Sequence, residues 1–284
     1  MNIKSLQDVC FDKISDAFSS AFEDYELQLN NVQLKTMLSR RGFAPQLSFA
    51  AFEGDHIVAF TLNGIGMFNG IQTAYDTGTG TVKEFRGRGL ASEIFEYSMP
   101  FLKNAGIKQY LLEVLQHNTK AVSVYRKLGF EVSRELNYFV QKNGEVRIRL
   151  SGSHAKYAIR QAELNQCKNA QDFWDYCPSW QNSFKAIDRK PDDFLVFGAF
   201  IKQELAGYCI FEPNSGDVAQ LAVDRLHRRK GVASLLLGEA LKSNVHDSVK
   251  IINSDVTCSS VTAFSNSCNI ALKGKQFEMI RKIG

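Results

Sequence analysis

Two hexapeptides half a chain apart carry the most readable chemistry. Arg86-Gly87-Arg88-Gly89-Leu90-Ala91 returns as Arg228-Arg229-Lys230-Gly231-Val232-Ala233 in a chain of 284 residues. Small residues at Gly87, Gly89 and Ala91 let another group approach the backbone closely. Amides that open a helix have no intrahelical acceptor, and the helix dipole adds positive potential, so such a turn attracts phosphate. Arg86 and Arg88 are placed to add charge-assisted contacts. The plainer alternative is a tight strand-to-helix connection, which needs one glycine rather than two with flanking arginines. Downstream, Glu113 stands among Leu111, Leu112, Val114 and Leu115, and partial desolvation there raises a carboxyl toward the pKa of a useful base. Asp76 is its rival. Tyr125 stays protonated at neutral pH and is equipped to give up a proton. Packing on neighbouring strands is the plain alternative for Glu113 and Tyr125, and helix capping is that for Asn118.

These residues need a scaffold that delivers strand ends and helix starts to one place. In the first half, residues 47–53 and 57–63 are β-rich around Gly54-Asp55, a hairpin signal. Helical stretches at 8–18 and 30–40 precede them. Residues 73–82 read as a strand in which Gly78 and Gly80 mark a bulge or a close backbone approach. A helix follows over 88–104, with Leu90, Ile94, Met99 and Leu102 in one stripe and a kink expected at Pro100. Then come strand 108–115, helix 119–128 stopped by Gly129, strand 130–140 and a last strand at 145–150. A linker is expected at 151–154. The second half repeats the plan: strand 157–160, helices 169–174 and 182–188, hairpin 194–201/205–211, strand 217–223, helix 230–243, strand 249–255 and a closing strand 277–283. Self-similarity at one long offset predicts a duplication, with domains 1–150 and 154–284. The class is α/β (α+β), each domain a twisted mixed sheet flanked by helices.

Several of these residues form one larger pattern. Thr79-Gly80-Thr81-Val82, the turn Arg86-x-x-Gly89-x-Ala91, Leu112-Glu113-Val114, Asn118, Ala121, Tyr125 and Gly129-Phe130 together resemble the GNAT acetyltransferase superfamily. The Glu113–Asn118–Tyr125 spacing is similar to that of ribosomal-protein-alanine N-acetyltransferases. The resemblance implies acetyl-CoA as co-substrate. Its pantetheine arm would lie along Thr79, Gly80 and Thr81, its pyrophosphate on the amides of Gly87, Arg88, Gly89, Leu90, Ala91 and Ser92, and Asn118 beside it. It also implies Tyr125 as the acid that protonates the departing thiolate and Glu113 as the base that takes the amine proton. The second half keeps the turn Arg228-x-x-Gly231-x-Ala233 and loses the rest. Aligned on Phe277 opposite Phe130, Leu272 falls opposite Tyr125 and Gln276 opposite Gly129, which reads as a degenerate scaffold. Asp24, Tyr25 and Glu26 are placed to meet a cationic amine or to form an ordinary solvated helix end.

Composition narrows the rest. A net charge of +4 is mild, and no basic stripe interleaved with aromatics argues for nucleic acid. Apolar runs are strand-length and no signal segment opens the chain, so a cytoplasmic protein without a membrane partner is expected. The six cysteines form no CxxC pair and the histidines have no ligand spacing, so neither disulfides nor a metal is expected. The expected activity is direct transfer of acetyl to a primary amine, either a small molecule or a protein N-terminus. A CoA-binding regulatory module without turnover and an enzyme using a longer acyl group are the alternatives. A monomer and a homodimer are both compatible with the sequence.

Overall fold

The computed structural model describes residues 1–25, 28–150 and 156–284. Glu26 and the linker expected at 151–154 lie outside the described residues. The chain forms two compact units, Met1–Ser133 with Phe277–Gly284, and Arg134–Gln276. These divisions differ from the sequence boundaries: residues 134–150 belong to the second unit and Phe277–Gly284 to the first.

In the first unit, β1 (Asn2–Ser5), β2 (Phe49–Glu53), β3 (His56–Phe68) and β4 (Ile71–Thr81) pair antiparallel in that order, and β5 (Gln109–Leu115) runs parallel to β4. Helices α1 (Phe11–Ala21) and α2 (Asn31–Arg41) pack an apolar cluster of Ile14, Phe18, Leu34, Leu38 and Phe60 on this sheet. The capping box of Asn30 with Gln33 starts α2, and Gly42, left-handed at φ 82°, ends it. Helices α3 (Leu90–Asn104) and α4 (Thr119–Lys127) contribute Phe95, Leu102 and Val122 to a second cluster with Tyr110, Leu112 and Phe130. Pro100 lies inside α3 on its exposed side.

The first unit completes its core with the end of the chain. Met279 and Ile283 are buried in the cluster around Phe95 and Tyr110. The Ile283 amide donates to the Lys108 carbonyl at 2.8 Å, and the Ser133 hydroxyl donates to the Glu278 carboxylate at 2.8 Å.

The second unit repeats the plan with β7 (Ala158–Gln161), β8 (Leu195–Ile201), β9 (Glu204–Glu212), β10 (Asp217–Val223) and β11 (Ser248–Asp255). Beside β11 lies β6 (Glu131–Lys142), a strand from the first repeat, with Phe139 opposite Ile251. Helices α5 (Leu164–Lys168) and α6 (Phe184–Arg189) cover one apolar cluster and α7 (Val232–Lys242) another. Helix α8 (Ser259–Ser267) and strand β12 (Ala271–Lys282) close the chain.

Three expected elements differ. Residues 146–150 form no strand, because Val146 and Ile148 pack on the core around Phe139 and the Arg147 amide donates to the Cys268 carbonyl. The helix expected at 169–174 starts earlier, at Leu164, where the box of Glu163 and Gln166 caps it, leaving a single 3-10 turn at Gln171–Phe173. The last strand begins at Ala271 rather than 277, because Asn269, left-handed at φ 59°, ends α8 as Gly129 at φ 80° ends α4.

Candidate active site and its repeat

Strands β4 and β5 pair only where Thr73, Ala74 and Tyr75 meet Gln109, Tyr110 and Leu111. Beyond that point they part. At the same place the β3–β4 register slips between Asn63↔Asp76 and Leu62↔Gly78, so Thr77 is the extra residue of a bulge. The Arg41 guanidinium holds the bulge by donating to the Thr77 carbonyl at 3.1 Å.

The Asp76 carboxylate organises the bulge. It accepts from the Gly78 amide at 2.9 Å on one oxygen, and from the Thr79 hydroxyl at 2.8 Å and the Tyr125 hydroxyl at 3.2 Å on the other. Burial raises its pKa to about 6, against the pull of these donors and of Arg41. Burial, and then the neighbouring Asp76, push the Tyr125 phenol well above its ordinary value, so it holds its proton throughout the neutral range. Glu113 takes a different partner. The Tyr75 hydroxyl donates to its Oε2 at 3.0 Å. On β5, Tyr110, Leu112 and Val114 share the cluster that Tyr125 packs against, so Glu113, which alternates with them, lies on the opposite face. The two residues named from sequence as acid and base thus have different partners, Tyr75 for Glu113 and Asp76 for Tyr125. Asp76, the rival carboxylate, is the one in contact with Tyr125.

Around the phosphate-type turn, Gly87 and Gly89 adopt φ 78° and 82°, a conformation that suits glycine. Leu90 is buried, so only its amide can serve a ligand, whereas Ala91 borders the gap beside Thr79 and Tyr125. Ser92 lies in the first turn of α3. Arg86 is turned toward protein acceptors. Its guanidinium donates to the Thr81 carbonyl at 3.2 Å, the Ala21 carbonyl at 2.9 Å and the Asp24 carboxylate at 2.9 Å. Asp24 is thereby committed to Arg86 and Lys83. Arg88 donates to the Glu84 carbonyl at 2.9 Å and lies 4.8 Å from the Phe85 ring. Asn118 caps α4, its side-chain oxygen accepting from the Ala121 amide at 3.2 Å. Gly80 is required by packing, since a Cβ there would stand 2.6 Å from the Phe60 ring and 2.9 Å from the Ala21 methyl. Among Thr79, Ala91, Phe95, Tyr110 and Tyr125 the free space is about 10 Å³, room for roughly one water.

The second unit repeats the turn contact for contact. Arg228 donates to the Val223 carbonyl at 3.0 Å, the Phe173 carbonyl at 3.0 Å and the Asp175 carboxylate at 2.8 Å, and Lys230 donates to the Leu226 carbonyl at 2.6 Å. Gly231 adopts φ 84°, and Arg229, in the place of Gly87, is left-handed at φ 60°. Tyr75 pairs Leu111, and its counterpart Asp217 pairs Lys250, so Ile252 stands where Glu113 stands. Helix α8 ends at Asn269 as α4 ends at Gly129, which places Ser265, not Leu272, in the position of Tyr125. Leu272 lies instead in β12, 46% exposed. Ile270, which follows Asn269 as Phe130 follows Gly129, therefore stands opposite Phe130, and Phe277 lies seven residues further along β12. Here the parted strands bound a cavity of about 360 Å³.

Among the described residues no helix is long and apolar enough to cross a membrane, and no group of three His, Cys, Asp or Glu is placed to hold a metal ion. N-alpha-acetyltransferase 30 of Schizosaccharomyces pombe is 31% identical over 87 residues, 30% of this chain and 58% of that protein. N-alpha-acetyltransferase MAK3 of Arabidopsis thaliana is 28% identical over 107 residues, 37% of this chain and 56% of that protein. The chain thus spans little more than half the length of these curated relatives. A tandem GNAT protein from the clavulanic acid biosynthesis pathway has the same fold, with a TM-score of 0.74 at 12% identity over 100% of this chain and 99% of that one. The family model described as Acetyltransferase (GNAT) family matches residues 9–130 and again 157–260. The chain belongs to the GNAT acetyltransferase family, with the family's domain present twice.

Proposed function

We propose that this chain is an acetyl-CoA-dependent N-acetyltransferase whose chemistry belongs to the first unit, and that its acceptor is a primary amine of the protein N-terminus class. The observation that carries the reading is the cluster of Asp76, Thr79 and Tyr125 at the point where β4 and β5 part, beside the Gly87–Ser92 turn. The names of the two curated relatives support an α-amino acceptor.

In direct transfer the amine nitrogen bonds to the thioester carbonyl carbon, the carbon–sulfur bond breaks, and the thiolate leaves. The attacking ammonium first loses a proton, for which Glu113, on the face opposite Tyr125, is the base, with Asp76 the alternative. Tyr125 gives its proton to sulfur, and the second proton, shed by the nitrogen as the tetrahedral adduct collapses, restores the phenol. A phenol is suited to this, because it keeps its proton at neutral pH and offers it to the negative charge that grows on sulfur as the carbon–sulfur bond breaks. The amides of Gly87 to Ser92 would hold the diphosphate, Asn118 would flank the arm, and Thr79 to Thr81 would line it. Gly78 and Thr79 already satisfy Asp76, so thioester entry has to draw Tyr125 from Asp76.

Replacing Tyr125 with Phe tests the reading. Thiol release with acetyl-CoA and a panel of peptide N-termini and small amines should fall about 10²-fold or more in kcat, with the KM for acetyl-CoA little changed. A protein that binds CoA and shows no transfer to any amine would instead be a binding module.

A further inference from the structure

Helix α2 ends against the bulge of β4. Arg41 is its last residue, and Gly42 turns the chain away in the left-handed conformation. The helix end is pressed onto β3, since a Cβ on Gly64 would stand 2.1 Å from the Arg41 carbonyl. The Ile65 amide donates to the Gly42 carbonyl at 2.9 Å, and the Ala44 amide to the Asn63 carbonyl at 2.8 Å. Asn63 and Gly64 are the partners of Asp76 and Tyr75 across the β3–β4 ladder. The docking of this helix therefore brings a half-buried guanidinium to the bulge, where it donates to the Thr77 carbonyl at 3.1 Å.

A cation fixed there acts on more than one carbonyl. Burial raises Asp76 to about 6, and its three hydrogen-bond donors, then Arg41, work against that rise. Burial and Glu113 raise Tyr75, and Arg41 opposes them too. The other titratable groups that face Asp76 are Tyr110 on β5 and Tyr125 on α4, both phenols that hold their protons, while Tyr25, after α1, acts on Tyr125. Among these groups Arg41 supplies the positive charge. The second unit offers the comparison. Val218 stands in the place of Asp76, between Asp217 and the bulged Ala219. Helix α6, the counterpart of α2, ends in Arg189, whose guanidinium lies 5.3 Å from the Trp180 ring. Where the carboxylate is replaced, the arginine that ends the helix faces an aromatic ring.

We propose, resting on the enzymatic reading above, that Arg41 is a positioning residue for the transfer: from the end of α2 it fixes the Thr77 bulge, and by its charge it keeps Asp76 a carboxylate. Both roles open to Asp76, acceptor for the Tyr125 hydroxyl and alternative base, need that form. Arg41 acts through Asp76 and not on the reacting atoms.

Removing an opposite charge makes a carboxyl harder to ionise. In Arg41→Gln the titration of Asp76, followed in the full chain by NMR of its carboxyl carbon, should therefore move upward from about 6 by about half a unit or more. Arg41→Met is a second neutral variant, should the first not fold. Arg41→Lys keeps the charge and should displace the titration less than half as far. In thiol release with acetyl-CoA and an amine that the parent acetylates, kcat/KM of the neutral variants should fall at least about twofold further at pH 6 than at pH 8, with the KM for acetyl-CoA little changed. In an Asp76→Asn background the same replacements should leave the pH profile where it was. An arginine that only supports the fold would lower the rate by one factor at every pH and leave the titration unmoved, and that result overturns the proposal. An Arg41→Lys titration displaced as far as that of the neutral variants overturns it equally. No transfer by the parent to any amine overturns the enzymatic reading and this role with it; transfer by the parent, with titration and acid limb unmoved in the neutral variants, overturns this proposal alone.

Discussion

At the scale of residues, Asp76 is the most consequential group, because it holds the Gly78 amide, the Thr79 hydroxyl and the Tyr125 hydroxyl together. Its pKa of about 6 lies above the ordinary 3.8, so the folded protein binds this proton more tightly than the unfolded chain does. Stability from this group is therefore greatest below pH 4 and declines as pH rises toward 6. The Tm difference between Asp76→Asn and the parent should accordingly move in favour of the variant across that window and then level off; a flat difference would refute the assignment. In kinetics, the acid limb of kcat/KM near pH 6 should vanish in the same variant if ionised Asp76 is what orients Tyr125. The sequence made Asp76, Glu113 and Tyr125 visible as chemical groups, but not which carboxylate touches the phenol, since that depends on strand parity around a one-residue bulge. Arg86 illustrates the same limit. Its partner Asp24 lies 62 residues away and the equivalent Asp175 lies 53 from Arg228, so no fixed spacing announces that these arginines brace the turn instead of facing an anion.

At the scale of elements, the two turns share a backbone and differ in strain. Arg229→Gly should stabilise the protein by about 1 kcal/mol, read as a shift in denaturation midpoint, because glycine accepts the left-handed conformation freely. Gly80→Ala should do the opposite. Its Cβ would collide with the Phe60 ring and the Ala21 methyl, and overpacking of this kind costs about 1–3 kcal/mol. Most strands and helices were legible from apolar periodicity, including the β4 bulge flagged by its glycines. Helix starts in the second repeat were less so. The box at Glu163 begins α5 before the stretch 169–174 expected to be helical, and Asn269 ends α8 without the glycine that ends α4.

At the scale of the whole molecule, duplication was readable from the paired hexapeptides, but the membership of each unit was not. Strands β6 and β12 begin in one unit and end in the other, because side chains such as Met279 and Phe139 fit cores built by the opposite repeat. Deleting Phe277–Gly284 should therefore loosen the first unit more than the second, seen as faster amide exchange at residues 94–114 than at 208–223. The crossing also constrains biosynthesis. Until residues 277–283 have been synthesised, the amino-terminal half lacks a wall of its own interior, so it waits, incompletely closed, for them. Nascent chains stalled shortly before residue 277 should be cleaved readily by protease within that half.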